Sequence, residues 1–136
     1  ELKAELMLNQ GSFSEGQEAR AIVTVAKMAR VYLFSADFEG GAKLIWPTEG
    51  MPAPLAGPSN PLVFPDEAQQ IAGIRMRAVV PVGRTSSIEA LRLLAVDGDA
   101  DALLLGKQDW NSVINAIEDA GLSWAEDVRI YTVYRN

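Results

Sequence analysis

Two short stretches carry the residue types that could do chemistry. The first is "DGDAD", residues 97–101, where aspartates alternate along the chain. Alternating carboxylates begin a calcium loop, because a hard cation gathers hard oxygens from every second position. An EF-hand loop then needs Gly at position six and Glu at position twelve; here those positions hold Ala102 and Gln108. The bidentate ligand and the sharp turn are both missing, so the stretch is expected to be a solvated acidic turn with no metal. The second is "RMR", which puts Arg75 and Arg77 on one face of an expected strand. Two guanidinium groups could grip a carboxylate or phosphate. They could equally pair with an acidic residue on a neighbouring strand.

The rest of the chemical inventory is set by absences. The chain has no Cys and no His. Without Cys there is no disulfide framework, thiolate metal site or thiol nucleophile. Without His there is no Ser–His–Asp triad, no HExxH zinc site and no 2-His-1-carboxylate iron site. No SxxK spacing occurs, which leaves the serines without a lysine base at that interval. No phosphate-cradling GxxxxGK[ST] or GxGxxG is present. Carboxylate chemistry alone stays open: with 18 acidic residues, two could meet across a cleft as glycosidases require. The formal net charge of −6 opposes nucleic acid and anionic membrane surfaces, which are bound by clustered Lys and Arg.

The elements that would position these groups are mostly strands. "LKAELMLN" alternates, with Leu2, Ala4, Leu6 and Leu8 on one side. "EARAIVTVA" alternates again, with Ala19, Ala21, Val23 and Val25 opposite Arg20, Ile22 and Thr24. "RVYLFSA" and "AKLIWP" flank "DFEGG", which has the Asp and Gly of a hairpin turn. "IAGIRMRAVVPV" resumes the β pattern. "TSSIEALRLLAV" is ambiguous, and a helical turn capped by Ser86 and Glu89 followed by a strand is expected there. "DWNSVINAIEDAG" is the one clear helix. Trp110, Val113, Ile114 and Ile117 form its apolar stripe, Asp109 caps its start and Gly121 its end. "DVRIYTVYR" closes the chain as a strand with Val128, Ile130, Thr132 and Tyr134 on one face.

Six of the chain's seven prolines lie between 47 and 65. This predicts one long irregular connection, and one unlike a solvated linker, since it carries Met51, Leu55, Leu62, Val63 and Phe64 with no charge between Glu49 and Asp66. Such a loop either folds back over the core or meets a partner. Trp46 at its root, with Met51, Leu55 and Phe64, makes the candidate contact surface, to which Arg75 and Arg77 are added as candidate binding residues.

The order of these pieces resembles the bacterial family called domain of unknown function 4384. The resemblance rests on "FSEGQEARAIVTV", "ARVYLFSADFEGGAKLIWP", "PLAGPSNPLVFP" and "SIEALRLLAV", within residues 13–96. Members tend to show an "EG" turn, a "gYLYLF…G…LFP" hairpin, a loop with a small "aG" step and a later Ala-rich strand. This chain departs from the pattern at Val31–Tyr32, where members often have Gly–Tyr, and at Ile45–Trp46–Pro47, where they often have Leu–Phe–Pro. The resemblance implies a β-rich accessory domain of an envelope or signalling protein, and it supplies no catalytic residue.

The sequence thus predicts a mainly antiparallel β-sandwich of about seven or eight strands with one helix near residues 109–120. It predicts a single domain over residues 1–136, excised from a larger protein and extracytoplasmic, since Cys is absent and the chain begins at Glu1. The expected role is a non-catalytic module that binds a protein partner or a neighbouring domain, with no cofactor, no metal, no nucleic acid and no membrane-spanning segment. The alternative is a small carboxylate-dependent hydrolase acting on a glycan.

Overall fold

The computed structural model describes residues 2–48 and 50–136; Glu1 and Glu49, the acid that opens the uncharged part of the proline-rich segment, lie outside the described residues. Eleven strands run through the described residues: β1 (Ala4–Leu8), β2 (Ser12–Ser14), β3 (Glu18–Ala19), β4 (Ala21–Val25), β5 (Ala29–Ala36), β6 (Ala42–Trp46), β7 (Leu55–Ala56), β8 (Leu62–Phe64), β9 (Met76–Arg77), β10 (Ser86–Val96) and β11 (Trp124–Tyr134). Three of them, β3, β7 and β9, are two residues long, which leaves eight of three residues or more. Two helices, α1 (Glu67–Ile71) and α2 (Trp110–Asp119), and a 3-10 turn at Ala102–Leu104 complete the fold.

The protein is a β-sandwich with a helix against its outer side. The larger sheet has the order β2-β11-β10-β5-β6, with β7 pairing β5 beyond the end of β6. The smaller sheet has the order β1-β4-β8. All these pairings are antiparallel except β2 with β11, which is parallel.

Why the central strands read as unbroken apolar runs follows from this layering. On β5, Val31 and Leu33 point into the sandwich against Leu6, Val23 and Leu93. Tyr32 and Phe34 point the other way, against Val113 and Ile117 of α2. Strand β10 does the same, with Leu91, Leu93 and Ala95 inside the sandwich and Leu94 and Val96 under the helix. A strand covered on both faces has no polar side to present. Strand β4, central in the smaller sheet and covered on one face, keeps the alternation expected for it: Ala21, Val23 and Val25 are buried and Thr24 is exposed.

Helix α2 forms where its stripe predicts. The Asp109 carboxylate accepts from the Ser112 N–H at 3.0 Å, and Gly121 takes the left-handed φ of 73° just past the last turn. Trp110, Val113 and Ile117 are buried, each worth roughly 1.5–3 kcal/mol against exposure. Phe34 meets Trp110 edge-on at 5.5 Å, and the Arg92 guanidinium lies 4.4 Å from the Trp110 ring centroid. Arg92 Nε is 3.5 Å from Glu126 Oε2, an ion pair without hydrogen-bond geometry.

Four expectations are corrected. First, residues 86–96 form one continuous strand with no helical turn. The Ser86–Glu89 cap pattern is outweighed by pairing with β11 along the whole length and with β5 from Ala90 to Val96. Second, a short helix, α1, was not expected. Asp66 and Gln69 form a reciprocal capping box there, with both bonds at 2.7 Å, yet none of its residues is buried. Third, the proline-rich connection is not wholly irregular, because β7 and β8 lie within it. Fourth, "IAGIRMRAVVPV" contributes only Met76–Arg77 to a sheet, paired with β3.

Candidate functional site

The "DFEGG" segment is a turn. Asp37 Oδ1 accepts from the N–H groups of Glu39 and Gly41, both at 2.8 Å, and Gly40 takes a φ of 92°. The Asp37 carboxylate folds so closely over Gly41 that a Cβ there would run into it. The turn also docks on the start of α2, since the Trp110 N–H donates to the Gly40 carbonyl at 2.9 Å.

The aspartates of "DGDAD" also serve local structure. Asp97 Oδ1 accepts from the Ser123 N–H at 3.0 Å, and Asp99 Oδ1 accepts from the Asp101 N–H at 2.9 Å. Asp101 Oδ1 accepts from the Tyr32 hydroxyl at 2.6 Å. That hydroxyl in turn accepts from the buried Ala100 N–H at 3.0 Å. Burial, and then the bond to Asp101, raise the Tyr32 phenol well above its ordinary value, so it stays a neutral donor.

The sequence-derived contact residues divide into two groups. Trp46 and Phe64 fold back into the sandwich, stacked at 4.9 Å with their planes 24° apart. Both are buried. Met51 and Leu55 stay outside, 61% and 44% exposed. Arg75 forms an ion pair with Glu18 and donates to the carbonyls of Gln70 and Ile74. Arg77 is exposed and sits opposite Glu18 in the β3–β9 register.

The turn of the proline-rich loop that carries Met51 rims a cleft of about 940 Å³. This falls within the range of about 300–1,000 Å³ usual for ligand sites. Leu44 and Ile45 of β6 form one wall, Met51 and its neighbours form the rim, and Leu104 and Leu105 stand opposite. Tyr32 and Asp101 supply fixed polar groups, and Lys43 and Lys107 add two cations. Leu105 is 76% exposed, so this side of the molecule carries two large apolar side chains in water.

Met51 is the one residue of the sequence-derived set that lines this cleft. The sequence alone does not single out Tyr32, Leu105 or Lys107 as cleft residues. Tyr32 reads as a core residue on β5, and the polar tip that would betray it needs the Asp101 partner 69 positions away. Leu105 carries a signal of its own, as the last of three leucines just before Gly106.

A second cleft of about 590 Å³ brings Asp97 and Glu118 together beside Lys27, Met28 and Trp124. Among the described residues, no cluster of three or more acidic side chains could hold a metal ion, and no helix is long and apolar enough to cross a membrane. No family model, no curated protein and no solved structure matches the chain.

Proposed function

We propose that this chain is a non-catalytic interaction module, and that its contact surface is the cleft rimmed by the proline-rich loop. One observation carries the reading: Met51 and Leu105 stand exposed at the mouth of an apolar cleft beside the fixed Tyr32–Asp101 pair. Methionine is enriched at protein contacts, where its flexible thioether adapts to a partner. A few convergent polar groups in an apolar cleft set orientation. The setting, an accessory domain of a bacterial envelope or signalling protein, is supported by the absence of cysteine and by the quoted pieces within residues 13–96.

The test replaces Met51 and Leu105, which both line the cleft, with Ser, separately and together. Both side chains are exposed, so melting should stay within the range of surface substitutions, about 0.5 kcal/mol. Association with the partner, or with the neighbouring domain, should fall. Lost stability with association intact would reduce the loop to a cover over the core.

A second reading is favoured by a different observation, the shared cleft of Asp97 and Glu118 beside Trp124. Two carboxylates and an aromatic platform are the parts of a glycosidase site. Asp97 Oδ1 already accepts from the Ser123 N–H, which keeps that oxygen committed to the fold. Assay of the protein and of Asp97→Asn and Glu118→Gln on chromogenic glycosides decides this reading: turnover lost in both variants would establish it.

A further inference from the structure

We propose that the cleft takes an extended, acid-flanked peptide as an added strand on the outer edge of β6; this rests on the reading of the cleft as a contact surface. The backbone favours this occupant. In an antiparallel ladder, successive residues alternate between bonding the partner strand and facing away from it. The Asp37 N–H donates to the Gly41 carbonyl, which fixes the phase. Residues 41 and 43 therefore bond inward to β5, and residues 42 and 44 face outward. The outward Ala42 N–H is taken by the Gln108 carbonyl at 3.0 Å. The outward N–H and C=O of Leu44 meet no partner among the described residues, and they lie where the cleft opens.

Charge favours the same occupant. The chain is acidic, yet Lys43 and Lys107 line this cleft, and neither is ion-paired among the described residues. Among the described lining residues the one carboxylate is Asp101, and it is already held by the Tyr32 hydroxyl. An occupant with Asp or Glu beside its apolar residues complements both cations. Shape favours it as well. Strand addition joins main-chain bonds to pockets for alternate side chains. Leu44, Leu104 and Leu105 provide an apolar pocket next to the free edge.

The edge itself supplies a selective variant. Proline at position 44 removes the outward N–H, and an edge strand tolerates it because that N–H does not bond β5. Leu44→Ala keeps the N–H and controls for the lost side chain. Random 12-residue peptides displayed on phage are selected on the immobilised protein, and the best are synthesised. Selected sequences should alternate apolar residues and carry Asp or Glu. Leu44→Pro should weaken them roughly tenfold relative to Leu44→Ala, the effect of losing about one main-chain bond. Lys43→Glu with Lys107→Glu should weaken them further. On the unmodified protein, N-methylation of alternate peptide amides should abolish binding in one register and spare it in the other.

Binding that ignores N-methylation would overturn strand addition while leaving the contact surface in place. Failure to select any peptide would overturn it too, and the Met51 and Leu105 variants would then decide the contact surface separately. A concentration-dependent dimer lost in Leu44→Pro and kept in Leu44→Ala would assign the edge to a second copy of this chain and overturn the peptide as occupant.

Discussion

The Leu6 main-chain N–H donates to Asp127 Oδ2 at 2.8 Å, joining β1 to β11 across 121 residues. β1 is an edge strand of the smaller sheet, bonded on its other side to β4. Asp127 belongs to the larger sheet and is partly buried. One carboxylate thus satisfies an edge N–H and ties the two sheets together. Replacing Asp127 with Ala leaves that N–H without its acceptor and should cost about 1–3 kcal/mol in urea unfolding. Asp127→Asn keeps an oxygen there and should cost less. Equal stability of all three proteins would show that water serves Leu6 equally well.

Glu15 gives the fold an acid-sensitive clasp. Its carboxylate accepts from Arg135 near the C-terminus at 3.2 Å and from the Val80 N–H at 2.9 Å. The Arg135 bond first, and then the Val80 bond, hold its pKa below the ordinary carboxylate value of 4.5. Between the folded and unfolded pKa values the unfolded chain binds more protons, so stability rises with pH there. The contribution is present above about pH 4.5 and is lost as pH falls through the lowered folded value. Melting measured from pH 6 downward should show a steeper acid loss in the parent than in Glu15→Gln. Parallel curves would contradict this.

Tyr32→Phe removes the acceptor of the buried Ala100 N–H and the donor to Asp101. It should destabilise by about 1–3 kcal/mol. Ultraviolet titration of the parent minus the variant should show a phenol ionising well above 10. A difference spectrum centred on the ordinary tyrosine value would mean that Tyr32 is more open than its surroundings indicate.

Calcium should leave the melting temperature unchanged. Asp97, Asp99 and Asp101 each give an oxygen to a donor within the fold, and the ligand-bearing position twelve is Gln108. A rise of several degrees at micromolar calcium would show that these bonds yield to the cation.

What the sequence reveals here depends on how far a residue's partners lie along the chain. The alternation of Ala21, Val23 and Val25 and the stripe of Trp110, Val113 and Ile117 are local signals, and both hold. The Ser86–Glu89 cap is local too, but two neighbouring strands overrule it. Strands β7 and β8 are two and three residues long, too short for a period to show. On β11 the alternation is legible and the buried face is not. Val133 is buried, while Ile130 and Tyr134 on the other face are 59% and 52% exposed, because α2 packs over Leu94 and Val96 toward the far end of β10. The cleft was the least legible part. It forms where residues 47, 48 and 50–52 approach residues 101–108, and no local pattern records that meeting.

Site-specific photo-cross-linking asks whether the cleft beside the proline-rich loop is a contact surface. A photoreactive phenylalanine is placed at Met51 or Leu105, at the cleft, and at Ile71 or Val82, which are 81% and 98% exposed and outside it. Each protein is irradiated within its native cells. The contact surface predicts one discrete adduct shared by positions 51 and 105, absent from 71 and 82, and lost on substituting Lys43 and Lys107 with Glu. Adducts of equal yield at all four positions, or at 71 and 82 alone, would contradict it.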